Sequence, residues 1–260
     1  MNVVLVLPTY NEAENIGKFI DVLLEKFQII EQETDFTMSI LVVDDFSPDG
    51  TADIVRSKQE KSDKINLLMN NQRGLGKAYI AGFKYAIENL NPDFLVEMDS
   101  DFSHNPDDLI RLLEPVNKGY DFVIGSRYVE GGSIPDNWSL FRKLNSKYGN
   151  VFARHIAGIS HVKDCTSGFR VLRVSILNKI DFNNLNANGY SFQMNILYEM
   201  VMNGARVFEV PIHFIDREFG ESKLGLKDII EFMKNSFGIR FDITKRQLKS
   251  IFSFLRRPLK

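Results

Sequence analysis

Short apolar runs rich in β-branched residues recur along the first half of the chain: Val3 to Leu7, Ile40 to Val43, Ile65 to Leu68, Phe94 to Met98 and Phe122 to Ile124. They have strand length, and their near-continuous apolar character suits strands buried on both faces. Between them the period changes. From Ala13 to Phe27 the apolar residues Ile16, Phe19, Ile20, Leu23, Leu24 and Phe27 recur at helical spacing, and Lys77 to Asn89 repeats this with Ala78, Ala81, Gly82, Tyr85 and Ala86. This alternation predicts βαβ units, hence an α/β fold whose mostly parallel central sheet carries helices on both faces.

The polar clusters fall where these strands end. Pro8-Thr9-Tyr10-Asn11-Glu12 follows the first, Asp44-Asp45 and Ser47-Pro48-Asp49-Gly50 the second, and Asp99-Ser100-Asp101 the fourth. Ligands of open α/β sheets bind beyond the carboxyl ends of the strands. After Ile124 the pattern loosens into a loop rich in Gly, Ser, Arg and Asn, from Gly125 to Asn137, and then a helix-like stretch from Leu140 to Ile156. An acceptor-binding half would begin there.

Asp99 and Asp101 place two hard oxygen donors at the ligand edge, where they can hold Mg²⁺ or Mn²⁺ against a pyrophosphate; the same pair can also simply cap a helix. A carboxylate of Asp44-Asp45 can accept a base N–H or a ribose hydroxyl, whereas Asp49 reads first as turn chemistry. Arg73-Gly74-Leu75-Gly76-Lys77 lacks the spacing of a triphosphate-binding loop. Arg127, Arg170 and Arg217 suit bidentate phosphate binding, and Gly220 would let the segment from Arg217 to Lys223 close over a diphosphate. His104, His155, His161 and His213 show no metal-ligand spacing, which argues against zinc.

Composition narrows the class. A chain of 260 residues, 44% hydrophobic and 25% charged, can bury one sizeable core. Its formal net charge of -2 argues against nucleic acid as a partner. The lone Cys165 fits a reducing compartment, and the N-terminus lacks the pattern of a signal peptide. No stretch reaches the roughly 18 apolar residues of a membrane span. The segment from Phe241 to Lys260 sets Lys245, Arg246, Lys249, Arg256, Arg257 and Lys260 against Asp242 alone, among apolar residues. Such a basic amphipathic tail can lie on a membrane or pack on protein.

Eight segments taken together resemble the family 2 glycosyltransferases, and within them the polyprenol (dolichol) phosphate mannosyl- and glucosyltransferases. They are PTYNE at 8–12, VVDDFSPDGT at 42–51, RGLGKA at 73–78, MDSDFSHNP at 98–106, GSRYVEGG at 125–132, DCTSGFR at 164–170, YSFQM at 190–194 and VPIHFIDREFGESK at 210–223. They follow the family's order. The resemblance implies a GT-A fold over residues 1–240, with a donor-binding part at about 1–124, an acceptor-binding part at about 125–240 and the tail at 241–260. It implies an inverting transfer of a hexose, mannose before glucose, from GDP-mannose or UDP-glucose to a polyprenyl phosphate on the cytoplasmic face of a membrane. Pro8, Tyr10, Glu12, Asp44 and, through YSFQM, Gln193 fall on the donor side. Asp99 and Asp101 fall at the metal, Arg127 near the acceptor phosphate, and Arg217 with Lys223 in a phosphate-binding loop. Ser103 stands where prokaryotic members often carry glutamine, and Asn195 where the family usually has glutamate. The alternatives are a hydroxyl acceptor on a saccharide or polymer, and a catalytically silent protein that binds a nucleotide sugar or recruits a membrane partner.

Overall fold

The computed structural model describes residues 1–185 and 189–216, of which 189 and 190 in backbone only, together with 234, 236–239 and 241. The five expected strands are present as β1 (Asn2–Thr9), β2 (Thr37–Asp44), β3 (Ile65–Met69), β4 (Phe94–Glu97) and β5 (Phe122–Ser126). Two more, β6 (Arg170–Arg173) and β7 (Val207–Pro211), complete a seven-stranded sheet of order β3-β2-β1-β4-β6-β5-β7. Strand β6 runs antiparallel to both of its neighbours, and the other pairings are parallel.

Alternation along the central strands divides the core between the two faces. Val4 and Val6 of β1, Leu41 and Val43 of β2 and Leu95 of β4 face α3 (Leu75–Asn89) and α7 (Gly189–Met202). Val3, Leu5 and Leu7, with Ile40, Val42 and Val96, face α1 (Ala13–Glu33), α2 (Thr51–Gln59) and α4 (Leu109–Asn117). Parallel register aligns Leu5 with Ile40 on one side and with Val96 on the other. Helix α3 closes on the sheet through Gly82, where an added Cβ would stand 2.6 Å from Val6 Cγ1 and 2.8 Å from Val43 Cγ2. The second half adds α5 (Leu140–Ile156) and the single turn α6 (Val174–Leu177).

The loops at the carboxyl edge carry unusual backbone. Asn11, Phe46 and Phe102 have φ of 60°, 54° and 62°, each in the loop after β1, β2 or β4. Left-handed conformations at non-glycine residues cost of order 1–3 kcal/mol each, and surrounding structure must hold them. Here the edge Phe19–Phe102 contact, with centroids 4.9 Å apart, holds one of them. None of the described helices is long and apolar enough to cross a membrane.

Candidate active site

The loops after β1 and β2 interlock through Asp44 and Asp49. The carboxylate of Asp44 is fully buried and accepts from Thr9 Oγ1 at 2.9 Å, Ser47 Oγ at 2.6 Å and the Ser47 amide at 2.8 Å. It therefore reaches a ligand only through the groups it holds. Asp49 accepts from Thr51 Oγ1 at 2.6 Å and from the amides of Thr51 and Ala13, so turn chemistry accounts for it. Burial raises its pKa somewhat, and these hydrogen bonds outweigh that to hold it below the ordinary carboxylate value.

A cleft of about 360 Å³ opens beside them, lined by Tyr10, Asp45, Phe46, Pro48, Asn70 and Arg73 among others. Asp45 accepts from Asn70 Nδ2 at 2.6 Å and from the Gly74 amide at 2.9 Å, which ties the RGLGKA segment to the cleft. The Arg73 guanidinium stacks 3.7 Å from the centroid of Tyr10. Pro8 is the penultimate residue of β1, two before Tyr10, and Glu12 accepts from Asn15 Nδ2 at 3.0 Å.

The acidic loop follows β4. The Asp99 carboxylate is about one third exposed, whereas Asp101 is buried and accepts from the Ser103 amide at 3.0 Å. Ser103 in turn accepts from the Ile215 amide at 3.2 Å, which brings the segment leading to Arg217 over this loop. His104 belongs to the same assembly, although its spacing suggests nothing. Its Nδ1 accepts from the Asp99 amide at 3.2 Å, and its ring lies between Phe169 and Phe214, with centroids 5.2 and 5.5 Å away. Burial lowers its pKa to about 4, with Arg127 acting the same way and Asp101 and Asp164 opposing. The imidazole is thus neutral near pH 7, with its proton on Nε2.

Below this loop, Glu97, Arg170 and Gln193 are buried together. Burial pushes Glu97 up to about 7, against the opposing charge of Arg170, whose Nε is 3.9 Å away. Arg170 donates to the carbonyls of Gln193 at 2.6 Å and Cys165 at 2.8 Å. This corrects the expectation that Arg170 serves as a phosphate ligand: its guanidinium is enclosed and joins α7, β4 and the DCTSGFR loop. Gln193 is 2% exposed and sits beneath the acidic loop, not at the open cleft.

Arg127 directly follows β5 and makes a buried two-pronged pair with Asp164, Nε to Oδ2 and Nη2 to Oδ1 both at 2.8 Å. Burial works against ionisation of Asp164, but the charge and hydrogen bonds of Arg127 prevail and hold its pKa below the ordinary value. Glu209 of β7 accepts from the amides of Lys163 and Asp164, and Asn150 of α5 bonds Thr166 Oγ1 and the Cys165 amide. The DCTSGFR loop is therefore fastened to both sheet and helix. On its outer side a cleft of about 550 Å³ is lined by Arg127, Lys147, Arg154 and Lys163, with Tyr128 and Asn150, and by no carboxylate. Lys147 and Arg154 lie seven residues apart on α5, two turns along one face.

The structure thus brings Pro8, Tyr10, Glu12 and Asp44 to one end of the carboxyl edge, Asp99 and Asp101 to its middle, and Arg127 to the other end. Arg217, Lys223 and nearly all of the tail lie outside the described residues. Among the described residues no three His, Cys, Asp or Glu side chains converge as a ready metal cage. Asp99 and Asp101 still suit a hard divalent cation, because Mg²⁺ binds through one or two carboxylates and completes its shell with water and substrate phosphate. Gly168 leaves room there, since a Cβ would stand 3.7 Å from both Asp99 oxygens.

Comparison with known proteins adds a lineage. The sequence profile described as Glycosyl transferase family 2 matches residues 4–181. A Micrococcus luteus protein named undecaprenyl-phosphate mannosyltransferase is 40% identical over 225 residues, covering 86% of this chain and 88% of its own. A Mycolicibacterium smegmatis protein named polyprenol monophosphomannose synthase is 38% identical over 240 residues, covering 91% and 86%. In fold, the chain is similar to glucosyl-3-phosphoglycerate synthase from Mycobacterium tuberculosis, solved with Mn²⁺, UDP and glucosyl-3-phosphoglycerate. The TM-score is 0.62 at 16% identity, over 92% of this chain and 78% of that one.

Proposed function

The chain belongs to glycosyl transferase family 2 and is a glycosyltransferase of GT-A fold; on that premise we propose that it transfers a hexose, mannose before glucose, from a nucleotide diphosphate sugar to a polyprenyl phosphate. The donor would be GDP-mannose or UDP-glucose, the transfer metal-dependent and inverting, and the site the cytoplasmic face of a membrane. The names of the two relatives support a lipid-phosphate acceptor and mannose. One observation carries the reading: the cleft between the end of β5 and α5 is lined by Arg127, Lys147, Arg154 and Lys163 and by no carboxylate. A hydroxyl acceptor needs a base to take its proton. A phosphate monoester is already ionised near neutral pH and needs cations instead.

In this reading the nucleotide lies over Tyr10, in the cleft shared with Asp45 and Asn70, with Pro8 and Glu12 alongside and Asp44 holding the loop from behind. Gln193 and Arg170 brace β4 and the acidic loop from below. Asp99 and Asp101 would hold Mg²⁺ or Mn²⁺, whose chemistry when bound is to neutralise charge on the departing diphosphate. The cleft cations orient the acceptor phosphate so that one oxygen lies in line behind the anomeric carbon. A bond from that oxygen to the anomeric carbon forms as the bond to the diphosphate breaks, and the electron pair leaves with the nucleotide. No proton has to move. Arg127 acts chiefly by fixing the wall of the cleft with Asp164, and Arg217 and Lys223 would approach the phosphates from the segment that follows Asp216.

The test compares two acceptors of equal chain length, a polyprenyl phosphate and its free alcohol, with the same labelled donor. Product from the phosphate alone is expected; product from the alcohol at a similar rate would contradict the reading.

A further inference from the structure

Beneath the acidic loop, four polar side chains from four elements meet in the sealed interior. Tyr79 of α3, Glu97 of β4 and Arg170 of β6 have no exposed surface, and Gln193 of α7 has 2%. Glu97 and Arg170 stand opposite each other in the antiparallel register, with Glu97 Oε2 and Arg170 Nε 3.9 Å apart, too far for a hydrogen bond. Burial raises the Glu97 pKa, and Arg170 and then the Gln193 side chain pull against it, which sets that amide beside the carboxylate. Burial, followed by the charges of Asp99 and Glu97, raises the Tyr79 pKa well above its ordinary value. The hydroxyl therefore keeps its proton and lies among the same charges. Aromatic rings close the space: Phe192 stacks on Tyr79 with centroids 5.7 Å apart, and the Arg170 guanidinium lies 5.5 Å from the centroid of Phe122. None of the four residues lines either cleft.

Their polar atoms Tyr79 Oη, Glu97 Oε1 and Oε2, Arg170 Nε, and Gln193 Oε1 and Nε2 have no hydrogen-bond partner among the described residues. Buried polar atoms are seldom left unpaired, and a cluster of them is where internal water sits. A charge pair held more than about 3.5 Å apart points the same way. The hydrogen-bonding roles are complementary: Tyr79 Oη–H, Arg170 Nε–H and Gln193 Nε2 donate, while Glu97 and Gln193 Oε1 accept. One water accepts from two donors and donates to two acceptors. A single molecule can thus serve Tyr79, Arg170, Glu97 and Gln193 together and leave the second Glu97 oxygen to Gln193 Nε2. We propose that these four side chains form an internal hydration site whose bridging water ties the base of the acidic loop to α3, β6 and α7, which makes Tyr79 a positioning residue. The site reaches the loop from both strands, since Asp99 lies two residues after Glu97, and Gly168, two before Arg170, stands beside the Asp99 carboxylate. A buried ion pair adds little stability of its own; what the water adds is a fixed relation between strands and helices. The positioning role rests on the reading of Asp99 and Asp101 as metal ligands.

The experiment uses the full chain, the variant Tyr79→Phe, which removes one hydroxyl, and Gly82→Ala on the same helix as a control for lost stability. A crystal structure of the wild type is expected to show ordered water bonded to both Tyr79 Oη and Glu97. Removing an orphan hydroxyl would leave stability unchanged or raise it, whereas removing one that bonds the water should raise the unfolding equilibrium constant roughly three- to tenfold in urea titration. Binding of Mn²⁺ alone, read from the electron paramagnetic resonance of the free ion, should weaken at least about threefold in Tyr79→Phe and stay unchanged in Gly82→Ala. An outer-shell partner in direct contact with a metal ligand costs about tenfold or more, and here a water intervenes. Direct hydrogen bonds from Arg170 Nε and Gln193 to Glu97 with no water between them overturn the proposal, as does a Tyr79→Phe protein as stable as the wild type. Equal loss of Mn²⁺ affinity in the two variants overturns the positioning role. A wild type that binds no Mn²⁺ sinks the metal reading and the positioning role with it, while the ordered water and the unfolding constant still decide the hydration site.

Discussion

Asp164 is fully buried, and its charge is tolerable only because Arg127 meets it with two hydrogen bonds. Breaking such a pair from one side leaves an uncompensated charge, which typically costs 3–5 kcal/mol. Asp164→Asn is therefore expected to lower unfolding free energy by about 3–5 kcal/mol in urea titration. Arg127→Lys should cost nearly as much, since one ammonium cannot reproduce the planar fork. His104 makes a pH-dependent contribution. Its native pKa of about 4 lies below the ordinary value of 6.5, so between these the unfolded chain binds the extra proton. The stability it contributes is complete above pH 6.5 and is lost as the pH falls towards 4. Comparison of wild type with His104→Phe, which keeps an aromatic ring, should show a stability difference that shrinks from pH 6.5 to pH 4.5; a constant difference would count against a buried neutral imidazole. Only part of this was readable beforehand. Asp99 and Asp101 are two positions apart and declare themselves, whereas His104 has no spacing signal. Its importance comes from Phe169 and Phe214, which reach it only in the folded chain.

Among the elements, β1 to β5 and helices α1, α3 and α5 could be read because local period determines them. The helix-like stretch from Leu140 to Ile156 has the observed bounds of α5. Strands β6 and β7 could not be read in that way. β6 is only Arg-Val-Leu-Arg, and its outer arginines look like loop residues until Glu97 and Asp121 appear opposite them, with Arg173 Nε 2.6 Å from Asp121 Oδ1. β7 alternates weakly at the sheet edge, and Glu209 faces the DCTSGFR loop as a polar anchor. The basic cleft was equally hidden: Arg127, Lys147, Arg154 and Lys163 come from a strand end, two turns of one helix and a loop. At this scale the close approach of α3 to the sheet is testable. Gly82→Ala drives a methyl group into Val6 and Val43, two stiff side chains on adjacent strands, and should destabilise by about 1–3 kcal/mol in chemical denaturation. A loss below about 0.5 kcal/mol would mean that α3 can shift outward at little cost.

For the molecule as a whole, the arrangement is an edge with three stations: a cleft beside the loops after β1 and β2, which the proposed reaction gives to the nucleotide, an acidic loop after β4, and a cationic cleft between β5 and α5. Charge follows that order although the sum is near zero, which is why composition alone said little about the acceptor. The measurement that tests this account most directly is transfer of radiolabelled sugar from GDP-mannose and UDP-glucose to a polyprenyl phosphate in detergent, with Mg²⁺ or Mn²⁺ and with chelator, for wild type and Asp101→Ala. The account predicts a lipid-linked sugar product that needs the metal and falls by at least about a hundredfold in the variant. Donor binding without transfer to any lipid phosphate, or undiminished transfer by Asp101→Ala, would contradict it.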